Sequence, residues 1–144
     1  MASHLLDTSA LLCLLADEPG AERVEEILRQ GDVLIPFVAL IETYYITLQT
    51  GSPTEAEKRH ALVKALPVEV LWDVDEASAL VAARLKAQHR VSFADALVAA
   101  LSITRDAVLV HKDPHFAILA SHLQLEALPY RAPQVNEKPE RHGR

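Results

Sequence analysis

Four carboxylates, Asp7, Glu42, Asp95 and Asp113, stand beside or inside apolar segments of the chain: LLDTSALL, FVALIETYY, SFADALVAAL and LVHKDPHF. An ionised carboxyl rarely enters an apolar environment without a partner, because leaving water is costly for a charge. Four such groups brought together repel one another unless a cation stands between them. Their hard oxygen donors suit Mg²⁺ or Mn²⁺. The residue types therefore point first to a divalent-metal site.

Taken singly, three of the four have a plainer reading. Asp7 can N-cap a helix beginning at Thr8. Asp113 precedes Pro114, the signature of a cap followed by a proline in the first turn. Ser92 and Asp95 have the spacing of a capping box. Glu42 differs, because it lies inside Phe37-Val-Ala-Leu-Ile-Glu-Thr-Tyr-Tyr-Ile and can cap nothing. Its neighbours one turn away are Val38, Ala39, Tyr45 and Ile46, none of opposite charge. It either faces solvent, is satisfied by Tyr44 or an arginine, or joins the other three.

Short β-prone runs alternate with helical patterns to position these groups. Strands are expected at 4–6, 33–35, 68–72, 107–110 and, as an edge, 123–127. Helices are expected at 8–15, 21–30, 37–49, 53–66, 76–88 and 93–104, with a short one at 114–120. Pro19-Gly20 and Gly31 act as stops. Such alternation implies an α/β layer fold with a short, mainly parallel central sheet. Ligands in these sheets bind beyond the carboxyl ends of the strands, which is where Asp7 and Asp113 fall. Trp72, with Val68 and Val70, is expected to pack in the core, as are Tyr44 and Tyr45. Cys13 reads as a small core residue.

Composition bounds the function. The 144 residues suffice for one domain, and 50% are hydrophobic. No apolar run reaches the roughly 18 residues a membrane helix requires. No basic segment leads into an apolar stretch at the N-terminus, so no secretory signal is expected. One cysteine excludes an internal disulfide framework and a cysteine-rich zinc site. A cytoplasmic protein without membrane contact is the expectation. The net charge of −6 does not suggest a nucleic-acid binder, although two divalent ions at the four carboxylates would offset much of it. From 129 to 144 the chain is rich in proline and poor in apolar residues, which predicts a mobile C-terminal tail after a domain spanning 1–128.

In order and spacing, these pieces resemble the PIN domain, in particular the VapC-type toxins of prokaryotic toxin–antitoxin pairs. The matching segments are LLDTSALL with Asp7, the helix carrying Glu42-Thr-Tyr, SFADALVAA with Asp95, and Lys112-Asp113-Pro-His-Phe116; DEPG at Asp17–Gly20 resembles that family's first turn. The resemblance covers roughly residues 4 to 127. One position departs from it: two residues before the last Asp the family usually carries Thr or Ser, and this chain has His111.

The resemblance implies a three-layer α/β/α sandwich and a metal-dependent endoribonuclease. Asp7, Glu42, Asp95 and Asp113 would be the catalytic and metal-ligating groups for Mg²⁺ or Mn²⁺. Asp7 and Asp95 would be the principal ligands, with Glu42 positioning a water or second ion. Thr8, Ser9 and His111 would act behind them, orienting carboxylates or bound water. Arg84, Lys86, Arg90, Arg105 and Lys112 are candidates for holding the RNA backbone. The implied partners are an RNA substrate, a cognate antitoxin and a second copy of the chain. A PIN nuclease or RNA-binding protein of RNA processing is the alternative. An Asp-dependent phosphatase or signalling domain is more remote, because Ser9 stands where haloacid-dehalogenase-like phosphatases usually carry a second Asp.

Overall fold

The computed structural model describes residues 3–129. Five strands, β1 (Ser3–Leu6), β2 (Val33–Pro36), β3 (Glu69–Leu71), β4 (Ala107–His111) and β5 (Leu125–Ala127), form one sheet in the order β3-β2-β1-β4-β5. Every neighbouring pair is parallel. Six α-helices make the crossovers: α1 (Thr8–Leu15), α2 (Ala21–Gln30), α3 (Phe37–Thr50), α4 (Pro53–Lys64), α5 (Glu76–Gln88) and α6 (Phe93–Thr104). A 3₁₀ helix, Pro114–Leu119, leads towards β5.

Alternate residues of each strand enter opposite cores. Leu5, Leu34, Leu71 and Leu109 face one layer, packed with Ala82 and Leu85 of α5, Ala96–Leu101 of α6, and Phe116 and Leu119. Leu6, Val33, Ile35 and Val110 face the other, with Leu11 of α1, Val24 and Ile27 of α2, Leu40 of α3 and Val63 of α4. The two cores on either side of one parallel sheet define the α/β/α sandwich that the alternating pattern implies. The turn before α2 places Gly20 at φ 108°, where an added Cβ would lie 3.2 Å from Leu128 and Pro129. Both the left-handed backbone and that close approach require glycine.

The topology places the carboxylates. β1 ends at Leu6 and Asp7 follows at once; the Asp7 N–H donates to the Val110 carbonyl at 3.2 Å, extending the β1–β4 pairing by one bond. α3 leaves the carboxyl end of β2. Because α6 feeds the parallel strand β4, it runs back across the sheet, so its first turn lies at that same edge. Asp113 follows β4 by two residues.

Most elements begin and end within two residues of expectation, with β3 shorter at both ends and β5 shorter at its start. Trp72 is a correction. It is 61% exposed rather than in the core, because β3 is an edge strand that ends at Leu71 and leaves the indole beyond the sheet. Tyr45 is likewise exposed, at 43%. Ile41, Tyr45 and Leu48 recur along α3 at helical spacing, all on its solvent side. Cys13 is fully buried, as expected of a small core residue. The expected tail from 130 onward lies outside the described residues.

Phe116 is 1% exposed and packs beside the His111 ring, with centroids 5.3 Å apart. Phe116→Ala is expected to cost about 3–5 kcal/mol, read as a lower urea midpoint. It would also loosen the segment that presents Asp113.

Candidate metal centre

Asp7, Glu42, Asp95 and Asp113 line one cleft of about 240 Å³, together with Thr8, Ser9 and the apolar side chains Leu12, Ile46 and Val98. A larger cavity, about 570 Å³, lies between α5 and α6 and is almost wholly apolar, with Lys86 as its one titratable lining residue. The smaller cleft is therefore the one that gathers the four carboxylates.

The plain capping readings are correct and do not compete with the site. The Asp7 carboxylate accepts from Ala10 N–H at 2.8 Å, Asp113 accepts from His115 N–H at 2.9 Å, and Ser92 Oγ accepts from Asp95 N–H at 3.0 Å. Capping fixes where each aspartate sits relative to its helix. The same residues still face the cleft.

Asp7 is 5% exposed. The Ser9 hydroxyl lies within 2.8 and 2.9 Å of its two carboxylate oxygens. That same Ser9 oxygen accepts the Lys112 backbone N–H at 2.8 Å, so one hydroxyl joins the end of β1 to the chain leaving β4. Thr8 Oγ1 donates to Glu42 at 2.5 Å, tying the start of α1 to the middle of α3. His111 is 3% exposed and its Nδ1 accepts Asp113 N–H at 3.2 Å. The imidazole thus shapes the backbone at Asp113 and is closed to solvent.

Electrostatics shows that the carboxylates sense one another. Burial pushes Asp7 up to about 7, with Asp95 and Asp113 adding to the rise against the Ala10 and Ser9 hydrogen bonds. Burial likewise raises Asp95 to about 6, and Asp113 and Glu42 push it in the same direction. Among the described residues, no lysine or arginine forms an ion pair with any of the four. The one basic side chain in contact with them is His115, whose Nδ1 lies 3.0 Å from Asp113. Four oxygen-donor side chains with that little compensation fit a hard divalent ion. Among the described residues, however, no three His, Cys, Asp or Glu side chains are already gathered around one point. Binding an ion would require these side chains to draw inward, with the cation offsetting both the burial and the mutual repulsion that raise Asp7 and Asp95.

The hydroxyl bridge from Ser9 to Lys112 was not anticipated, since the partners are 103 residues apart. Of the candidate cations, Lys112 is engaged in the α1–α2 turn, with Nζ at 3.1 Å from Glu18 and 2.9 Å from the Pro19 carbonyl. Lys86 Nζ donates to the Val91 carbonyl at 2.8 Å. Arg84, Arg90 and Arg105 are exposed. Ser9→Ala removes both ends of the bridge, and about a 10- to 100-fold loss in divalent-metal affinity is expected, measurable by calorimetric titration with Mn²⁺.

A parallel α/β/α sandwich with an acidic cleft at the carboxyl edge of its sheet defines a class of acidic-site α/β domains. The chain belongs to the PIN domain family, which matches over residues 4–121. No curated protein sequence matches it significantly. Solved structures similar to it include VapBC2 from Rickettsia felis bound to a fragment of promoter DNA, with TM-score 0.73 and 16% identity over 88% of this chain and 98% of that one. DNA-bound VapBC from Salmonella typhimurium gives 0.69 and 19%, covering 88% and 98%. VapC20 from Mycobacterium tuberculosis, described as a sarcin-ricin loop cleaving toxin, gives 0.65 and 17%, covering 85% and 98%. At these identities the likeness is one of fold. Among the described residues no helix is long and apolar enough to cross a membrane.

Proposed function

We propose that this PIN domain is a divalent-metal-dependent endoribonuclease and the toxin of a toxin–antitoxin pair. The observation that carries the reading is the convergence of Asp7, Glu42, Asp95 and Asp113 on one cleft, with no lysine or arginine ion pair to any of them among the described residues. Asp7 and Asp95 are the principal ligands for Mg²⁺ or Mn²⁺, with Glu42 and Asp113 completing the acidic set. Bound there, the ion supplies water activation near neutral pH and charge neutralisation at the scissile phosphate. Ser9 holds the Asp7 carboxylate in place through its hydroxyl. Thr8 orients Glu42 across the cleft. His111 sets the backbone that presents Asp113. Arg84 and Arg90 remain as exposed cations for the RNA backbone, whereas Arg105 caps the end of α6 away from the cleft.

The likeness to VapBC complexes supports an antitoxin partner whose segment covers the cleft. The exposed stripe of Ile41, Tyr45 and Leu48 supports a second copy of the chain on α3. The test is cleavage of structured RNAs by the purified protein with Mn²⁺ or Mg²⁺. The panel includes tRNAs and a sarcin–ricin hairpin, with a chelator as control. Discrete fragments that vanish with the chelator are expected. Cleavage that persists in the chelator would remove the metal from the mechanism. Rescue of growth by the product of a small neighbouring reading frame would distinguish a toxin from an RNA-processing nuclease.

A further inference from the structure

Away from the cleft, the side chains of His89 and His122 meet across 33 residues of sequence. Their Nε2 atoms are 2.9 Å apart, and the rings stand edge to face at 74° with centroids separated by 4.8 Å. Both backbones are anchored. His89 closes α5 by donating its N–H to the Leu85 carbonyl at 3.0 Å and accepts Val91 N–H at 3.0 Å. His122 donates its N–H to the Leu119 carbonyl at 2.9 Å in the turn after the 3₁₀ helix. Two imidazoles on separate, fixed segments thus aim the same nitrogen at one point near the surface.

We propose that His89 and His122 form a second metal site, one for a borderline transition-metal ion such as Zn²⁺. The donor set differs in kind from that of the cleft. Neutral imidazole nitrogens prefer Zn²⁺ and its neighbours, whereas carboxylates prefer Mg²⁺ and Mn²⁺. With Zn–N distances of about 2.0–2.1 Å and tetrahedral geometry, two ligating nitrogens lie about 3.3 Å apart. Opening the present pair by a few tenths of an ångström suffices, and side-chain torsions can supply that. A plain imidazole–imidazole hydrogen bond at a wet surface contributes little, so it does not by itself account for both Nε2 atoms pointing inward. No third His, Cys, Asp or Glu joins them among the described residues. The remaining coordination positions belong to water, and the ion is exchangeable.

Occupancy would have a structural consequence. His89 lies six residues before Asp95 and His122 nine residues after Asp113. An ion shared by the two rings joins the α5–α6 connection to the segment following Asp113. It thereby fastens together the two stretches of chain that deliver Asp95 and Asp113 to the cleft. The inference does not depend on what the cleft does, because the site is defined by different residues and a different donor type.

The experiment uses the full chain, titrated with Zn²⁺ alone as probe in excess Mg²⁺, followed by calorimetry and by imidazole ¹⁵N resonances. One Zn²⁺ per chain is expected, with the Nε2 resonances of His89 and His122 moving together while those of His60 and His115 stay in place. His89→Ala and His122→Ala are each expected to weaken this binding at least about tenfold, and the double variant to go little further, since one ring cannot hold the ion alone. Folding of the variants is checked by circular dichroism, and His89→Gln provides a milder change at the same place. Zn²⁺ binding that survives both substitutions, resonance shifts at His115 in place of the pair, or no binding at all would overturn the proposal.

Discussion

Asp7→Asn is expected to lower metal-dependent RNA cleavage by about a thousandfold or more, with Asp95→Asn close behind. Losing a charged ligand forfeits several kcal/mol of transition-state stabilisation, and each 1.36 kcal/mol is tenfold in rate. Asparagine keeps the shape and one carbonyl oxygen, so the Ala10 N–H cap and a Ser9 contact can persist. The variants should therefore fold while failing to cut. A single-turnover assay with saturating RNA separates this from weakened binding: the rate of the chemical step falls and the RNA dissociation constant does not. Wild-type rates in both variants would place the chemistry elsewhere on the chain.

The second large effect runs in the opposite direction, on stability. Burial pushes the Asp7 carboxyl in the folded protein from its ordinary 3.8 up to about 7. A raised folded pKa favours the native state only while the carboxyl is protonated. That contribution is complete below pH about 4 and is lost as pH rises through about 7. At pH 8 without metal the protein therefore carries a buried, ionised Asp7 at full cost. A rise from 3.8 to about 7 sets an upper bound of about 4 kcal/mol, and asparagine gives up part of the hydrogen bonding. Asp7→Asn is thus expected to be about 2 kcal/mol more stable than wild type at pH 8 in chelator, with the gain shrinking towards pH 4. Added Mg²⁺ or Mn²⁺ should raise the melting temperature of wild type and leave that of the variant nearly unchanged. The idea would be falsified if the variant melted lower than wild type at pH 8 in chelator. Activity lost and stability gained at one residue would mark Asp7 as kept for chemistry rather than for the fold.

The sequence carried more of the candidate cleft than of its surroundings. Asp7, Asp95 and Asp113 were legible because each sits where a strand or loop gives way to a helix, and Glu42 because it lies where no cap can use it. Capping a helix and facing the cleft are not alternatives in this fold, since a cap at the carboxyl edge of a parallel sheet already faces the cleft. Trp72 was misplaced because a period of two in β3 gives no information on whether the strand is central or at an edge. Tyr45 was misplaced because an apolar helix such as α3 can show one apolar face to solvent. Ser9 was legible as a neighbour of Asp7 but not as its link to Lys112, and the meeting of His89 with His122 left no local trace. Contacts of that kind are decided by strand order, which short-range periodicity does not encode.

The all-parallel sheet has a consequence for the chain while it is being made. Neighbouring parallel strands can pair only after a complete crossover has been synthesised, and β4, which lies beside β1, begins at Ala107. Asp7 N–H donates to the Val110 carbonyl, and Ser9 Oγ accepts the Lys112 N–H. A nascent or truncated chain that stops short of β4 holds three of the four carboxylates but lacks the strand that aligns the first of them. The four carboxylates therefore come together only after β4 and Asp113 have been made, late in the synthesis of the domain.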